Sequence, residues 1–391
     1  MSIQRLILKY KSIGLISSSL LVGAIITFIA LPFLTRLYSV KDFGEYGVAL
    51  ALVSVLSTVA NLRLDQAQLV ADEEHQKGLI FEGSIISIIF CGILAIILGF
   101  FFSFPMILAI CSGIFFNTIL QSLYNYKFSQ EAELFCAGLN IFRSLLVVLV
   151  QIGLPLMMSV TLVMSYAISS LLLMMMILIY ILRHNLYKIS WNNYKNYQDF
   201  IFSNTPHALL NSFSHNLPYY VVSHFVGYQA VGFYAIVERT LKVPINLMSQ
   251  TIRQFFIRKF KQQSSALEAL KSSLLLSLVS LPFFALFFIL PESLYLLIFG
   301  QEWVGISLYF QILALGYWAI FCNPPSSAFL VANRKSQVLF KIQVVELIIK
   351  LILFVLLYMS VSNKIYMLFS VPISLMFYNF SILYWVWRSQ K

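Results

Sequence analysis

The chain has 391 residues, of which 60% are hydrophobic and only 10% charged. Soluble domains carry about 25% charged residues and disordered chains are polar, so both classes are excluded. The net charge of +11 does not call for nucleic acid, because basic residues in such a chain collect in cytoplasmic loops and set its orientation.

Read in order, the apolar segments predict twelve transmembrane helices. The first six are Ser12–Thr35, Phe43–Leu62, Ile80–Phe102, Phe104–Tyr126, Leu134–Met158 and Val160–Leu182. The second six are Phe200–Phe225, Gln229–Ile252, Leu270–Leu290, Val304–Cys322, Val338–Ser360 and Ile365–Trp387. Twelve spans of about 20 residues use about 240 residues. That leaves short connections and no room for a sizeable soluble domain. The first apolar run is too long for a signal-peptide core and reads as a retained span. The stretch from Asp65 to Gly78, with its acidic run, reads as interfacial or solvated. Cys91, Cys111, Cys136 and Cys322 lie in or beside apolar segments without CxxC spacing and read as packing residues.

The basic residues test this count. With both termini in the cytoplasm, nineteen of the 26 Lys and Arg fall inside, counting Lys271 and Lys341 at the inner ends of their spans, and only Arg36, Lys41 and Lys364 outside. That asymmetry fits the positive-inside rule. An echo supports two equivalent halves. Asp42-Phe43-Gly44-Glu45-Tyr46-Gly47 opens the second span, and Ala230-Val231-Gly232-Phe233-Tyr234-Ala235 opens the eighth. The expected organisation is a six-helix bundle over 1–182, a cytoplasmic linker over 183–199 and a second bundle over 200–391, facing a central cavity as in repeat-built transporters.

Ionisable groups inside spans are expensive and face bundle interiors or water. Arg143 lies on span five, Glu238, Arg239 and Lys242 on span eight, and Glu346 and Lys350 on span eleven. Spans five and eleven are equivalent in the two halves, which would set Arg143 and Lys350 across the cavity from one another. Asn140, Arg143, Ser144 and Gln151 share one helix face, and Asn204, His207, Asn211 and His215 form another stripe. Glu238 with Lys242, and Glu346 with Lys350, are four apart and could neutralise each other or contact a ligand. Arg143 and Arg239 have no such acidic neighbour in sequence, and guanidinium suits phosphate oxygens. His207, His215 and His224 do not share a face, so no metal is expected. No Gly-rich phosphate loop and no nucleophile motif is present, so neither an enzyme nor a cofactor is expected.

The run Thr35-Arg36-Leu37-Tyr38-Ser39-Val40-Lys41-Asp42-Phe43-Gly44-Glu45-Tyr46, followed by Leu62-Arg63-Leu64-Asp65, resembles the opening of Wzx-type polysaccharide repeat-unit flippases. Val231-Gly232-Phe233-Tyr234-Ala235, then Arg239 and Pro244, is similar to their mid-chain signature. Phe299-Gly300-Gln301-Glu302-Trp303 is similar to a later turn. The resemblance implies a V-shaped pair of six-helix bundles of the multidrug/oligosaccharidyl-lipid/polysaccharide (MOP, MATE-like) transporter group. It also implies undecaprenyl-diphosphate-linked oligosaccharide as substrate, moved from inner to outer leaflet for O-antigen of lipopolysaccharide or a related surface glycan. The expected place is the bacterial inner membrane, among lipid, a polysaccharide polymerase and a chain-length regulator. Arg143, Arg239, Lys242 and Lys350 are then the expected diphosphate ligands. Glu238 and Glu346 serve ion coupling or charge balance, and Asn140, Asn204, His207, Asn211 and His215 line the cavity or meet sugar. The first span lacks the buried Asp of many cation-coupled relatives, which weakens an ion site in the first half. Two rivals are a multidrug or organic-cation exporter of the same fold and a membrane polysaccharide polymerase. The exporter would favour an anionic cavity, and the polymerase would need a larger external loop.

Overall fold

The computed structural model describes residues 3–188, 193–198, 201–202 and 205–389, which are helical apart from turns, with no strand among them. The first half contains α1 (Ile3–Leu37), α2 (Val40–Ala60), the short α3 (Leu64–Ala67), α4 (Glu73–Leu98), α5 (Phe104–Ser129), α6 (Glu133–Met157) and α7 (Leu162–Arg183). The second contains α8 (Thr205–Phe225), α9 (Tyr228–Gln262), α10 (Ala266–Ile289), α11 (Glu292–Phe299), α12 (Ile306–Cys322), α13 (Pro324–Ala332), α14 (Ser336–Ser360) and α15 (Ser370–Arg388). Each of the twelve expected segments contains a helix among its described residues.

Among the described residues, nine helices are long and apolar enough to cross a membrane, and the bent pair α12–α13 makes a tenth. The other two expected spans, α8 and α9, are long enough, but polar side chains such as Asn211 and His215, and Glu238, Arg239 and Lys242, interrupt their apolar faces. The protein is therefore a polytopic helical membrane protein. Its tenth span is broken: α12 and α13 meet at 41° where Pro324 and Pro325 supply no N–H to continue the ladder. Asn323 at the break donates to the Asn379 side chain at 2.7 Å, tying the bend to α15.

Helix starts follow local chemistry. Ser39 caps α2 in a reciprocal capping box with Asp42. Thr161 and Ser265 cap α7 and α10. Between α11 and α12, Gly300 and Gly305 adopt φ of 103° and 94°, backbone that L side chains rarely enter. That turn drives Trp303, fully buried, edge-on against Phe233 of α9. The later Phe-Gly-x-x-aromatic turn is thus an anchor for the eighth span.

The chain divides into two compact units, Met1–Leu217 and Pro218–Lys391. Within the first, α2 packs on α5, α4 on α5, α5 on α7 and α6 on α7. Within the second, α9 packs on α12 and α13, α10 on α12, α12 on α15 and α14 on α15. In span order these four pairings recur in both units, whereas the packing of α1 on α6 belongs to the first. The echoed motif occupies the first turns of α2 and α9 in both units. Its buried tyrosines do corresponding work: Tyr46 packs edge-on to Tyr166, and Tyr234 to Tyr219.

Burial sorts the helices. The apolar window of α5 is 72% buried, whereas those of α4 and α10 are 22% buried. The latter present residues such as Ile96 and Val279 outward, as lipid-facing helices do. Small residues permit close helix approach. A Cβ at Gly316 of α12 would lie 2.6 Å from the Pro372 backbone of α15. Gly316→Ala is expected to cost about 1–3 kcal/mol through overpacking, seen as a lower melting temperature of the purified protein. An unchanged melting temperature would show that α12 and α15 are not in this register.

Candidate functional site

The chain leaves α2 through an unusual corner. The Asn61 side-chain oxygen accepts the Arg63 backbone N–H at 3.1 Å, an Asx-type turn. Leu62 and Arg63 then both take left-handed φ, 53° and 60°. Such backbone costs roughly 1–2 kcal/mol per residue and persists only where surroundings enforce it. Here they do. Asn125 of α5 donates to the Asp65 carbonyl at 2.6 Å, and Gln121 donates to Asn125 at 3.0 Å. Ser87 of α4 donates to the Ala60 carbonyl.

This corner walls a cavity of about 410 Å³ inside the first unit. Ser57 and Thr58 come from α2, and Asn61, Arg63, Asp65 and Gln66 from the corner and α3. Asn117, Thr118, Gln121 and Asn125 come from α5, and Arg143 from α6. Only Leu69 and Leu120 in the lining are apolar. The Arg143 guanidinium lies 5.5 Å from the centre of the Phe116 ring, a cation–π seat that orients it without neutralising it. Asp65 is 4% exposed, and its Oδ1 has no hydrogen-bond partner among the described residues. Burial pushes its carboxyl above the usual range, and the charge of Arg63 pulls it back. With Arg63 and Arg143 positive and Asp65 negative, the lining carries one net positive charge.

The other expected residues sit in different surroundings. Asn140 donates to Ser19 of α1 at 3.3 Å, so it joins α6 to α1. Ser144 caps its own helix face by donating to the Asn140 carbonyl. Gln151 is buried, and its carbonyl accepts Tyr38 Oη at 2.8 Å. Of that stripe, Arg143 alone lines the cavity. In the second unit, Glu238 is enclosed. It accepts from Tyr219 at 2.5 Å, Lys242 at 2.7 Å, Tyr317 at 2.9 Å and Tyr234 at 3.3 Å. Lys242 is half-exposed at the mouth of this cage. Arg239, next in sequence, is half-buried and engaged. Glu346 and Lys350 form an ion pair at 2.7 Å with both side chains at most 5% exposed. Both i,i+4 ion pairs therefore form. On α8, Asn211 is half-buried and His215 exposed, each with an interaction partner. Asn204 and the side chain of His207 lie outside the described residues.

In the stretch after Asp65 the charged Asp72 and Glu73 are exposed, as an interfacial or solvated run would be, and Glu73 pairs with Lys77 in the first turns of α4. Its glutamines are not: Gln68 and Gln76 are buried, and Gln76 donates to the carbonyls of Gln68 and Ala71. Sequence reasoning also passed over Arg63 and Asp65 as site residues, and over Glu82, which is buried in α4. The available signal was the alternation of Arg63 and Asp65 immediately after an apolar span.

The fold recurs in solved transporters. A multidrug resistance MATE family transporter of the MOP superfamily in its inward-facing conformation matches with a TM-score of 0.61 at 13% identity, over 100% of this chain and 95% of its own. An outward-facing conformation of such a transporter matches with a TM-score of 0.62 at 13% identity, over 97% and 95%. The lipid II flippase MurJ in an inward closed conformation matches with a TM-score of 0.55 at 14% identity, over 98% and 87%. At such identities the likeness establishes the fold alone. No curated protein matches the sequence. A family model described as polysaccharide biosynthesis protein matches residues 33–308, which include the echoed motifs, the Asn61–Asp65 corner and Arg143. With most of its length matched by that model, the chain belongs to the polysaccharide biosynthesis protein family.

Proposed function

We propose that this protein is a flippase for undecaprenyl-diphosphate-linked oligosaccharide, carrying the head group from the inner to the outer leaflet by alternating access. The observation that carries the reading is the Arg143 guanidinium in a polar cavity walled by the Arg63 corner, within a membrane fold of the polysaccharide biosynthesis family. A diphosphate diester with its sugars cannot enter hydrocarbon, because stripping water from its charge costs far more than thermal energy. A wet, cationic cavity replaces that water while the prenyl tail stays in lipid. Arginine suits the task, since its planar donors match phosphate oxygens in pairs.

In this reading Arg143 and Arg63 meet the diphosphate, and Arg239 is a further contact of the anionic head group. Lys242 and Lys350 serve charge balance with Glu238 and Glu346. The bias of basic residues to one set of loops supports cytoplasmic termini and, with them, an Asn61–Asp65 corner on the cytoplasmic side, where lipid-linked units are made. The product feeds O-antigen or a related surface glycan of the bacterial inner membrane, with a polymerase and chain-length regulator acting downstream. No enzymatic step is required of the chain.

Cells lacking the protein are expected to accumulate single lipid-linked repeat units in the cytoplasmic leaflet. Accumulation of single units in the outer leaflet would instead mark a polymerase. Sensitivity to organic cations with normal surface glycan would mark a drug exporter.

A further inference from the structure

The second unit carries a cavity that the transport path proposed above does not use. It measures about 500 Å³, within the roughly 300–1,000 Å³ of small-ligand pockets. Three separate stretches of chain build it. Ser264, Ser265 and Leu267 come from the turn between α9 and α10, Asn333 and Lys335 from the turn between α13 and α14, and Ser389 from the end of α15. Each stretch lies at the end of a segment long and apolar enough to cross a membrane: Ala266–Ile289, Ser336–Ser360 and Lys364–Arg388. The cavity therefore sits at head-group depth. Tyr384 and Trp387, both exposed and with ring centres 6.0 Å apart, stand within two turns of Ser389, as aromatic side chains do at that boundary.

The hydrogen bonds of the lining leave donors over. Its side-chain acceptors each hold a bond already: Asn333 Oδ1 accepts Ser264, Ser389 Oγ accepts Lys335, and Ser265 Oγ accepts the Glu268 N–H. Lys335 commits one of its three N–H groups to Ser389, and Asn333 one of its two to the Phe329 carbonyl. Among the described residues, no acceptor takes the Ser265 hydroxyl proton. Lys335 is the one ionisable residue in the lining. The carboxylate of Glu268, just beyond Leu267, is held by Lys259. Arg334 and Arg388, each next to a lining residue in sequence, are exposed.

Spare donors, one positive charge and no acid suit a singly charged oxyanion. A zwitterionic head group fits less well, because its ammonium meets the like charge of Lys335. Leu267 adds an apolar contact: it lines the same cavity and is 53% exposed. A free anion leaves that surface in water, whereas a lipid covers it.

We propose that this cavity binds the phosphate of an anionic phospholipid, with Lys335, Ser265 and Asn333 on the phosphate oxygens and Leu267 against the first methylenes of the acyl chains. The bound lipid ties together three helix ends distant in sequence and so stabilises the second unit. The proposal is independent of the flippase reading, since the Arg143 cavity belongs to the first unit.

The test uses the purified, delipidated full-length protein in detergent. Native mass spectrometry and melting temperature are followed against phosphatidylglycerol, phosphatidylcholine and inorganic phosphate. Phosphatidylglycerol is expected to be retained at about tenfold lower concentration than phosphatidylcholine and to raise the melting temperature, whereas inorganic phosphate at the same concentration does not. Lys335→Ala weakens phosphatidylglycerol about tenfold. Lys335→Gln, which keeps a donor for Ser389 without the charge, does the same, and the lipid-free melting temperature reports that the variants are folded. Lys261→Ala, exposed and outside the lining, changes nothing. Equal retention of the two lipids, or retention untouched by both Lys335 variants, overturns the site. An equal loss in Lys261→Ala overturns it in favour of diffuse attraction to a basic surface. Inorganic phosphate that matches phosphatidylglycerol overturns the lipid and leaves a free-anion site.

Discussion

Arg143→Ala is expected to lower surface-glycan assembly roughly 100-fold at matched protein level, while leaving the protein inserted and folded. Hydrogen bonds to charged partners contribute about 1.5–3 kcal/mol each, and the loss of a paired contact to phosphate corresponds to about two decades. The fold should barely notice. The guanidinium is exposed on α6 and its described contact is the Phe116 ring, worth roughly 0.5–1 kcal/mol at an accessible position. Arg143→Lys should restore only part of the activity, because an ammonium cannot offer two coplanar donors to one phosphate. Surface glycan resolved on gels, with protein amount measured alongside, checks both variants. Full activity of Arg143→Ala would remove this arginine from the transport path.

The second large effect concerns folding. Lys350→Met strands the Glu346 carboxylate inside the second unit, where both partners are now almost fully buried. Removing one member of a buried pair costs about 3–5 kcal/mol, whereas replacing both is often neutral. Lys350→Met should therefore abolish or strongly reduce recovery of folded protein, and Lys350→Met with Glu346→Leu should restore it. Thermal stability of the solubilised protein distinguishes the cases. If the double variant folds and still exports glycan, Lys350 is a charge-balancing residue. If it folds and export is lost, Lys350 contacts substrate after all.

What the sequence revealed and what it withheld have physical reasons. Spans are legible because most are continuous apolar runs, and each of the twelve contains a helix among its described residues. The i,i+4 pairs Glu238–Lys242 and Glu346–Lys350 were legible as options, since helix geometry brings such residues together. Their surroundings were not legible. Three tyrosines from α8, α9 and α12 close on Glu238, and no local spacing announces that convergence. The cavity was hidden for the same cause. Its lining spans Ser57 to Arg143, joined only by packing of α2, α5 and α6. Arg63 and Asp65 looked like solvated residues after a span, because a left-handed corner made of Leu62 and Arg63, with no glycine, leaves no compositional mark.

Purified protein reconstituted into vesicles with a prenyl-diphosphate-linked saccharide, assayed for its distribution between leaflets, tests the central claim most directly. The account predicts movement of the saccharide head group across the bilayer in wild-type vesicles, and loss of that movement in vesicles carrying Arg143→Ala. Equal distributions over time in protein-containing and protein-free vesicles, with the protein shown to be folded, would contradict it.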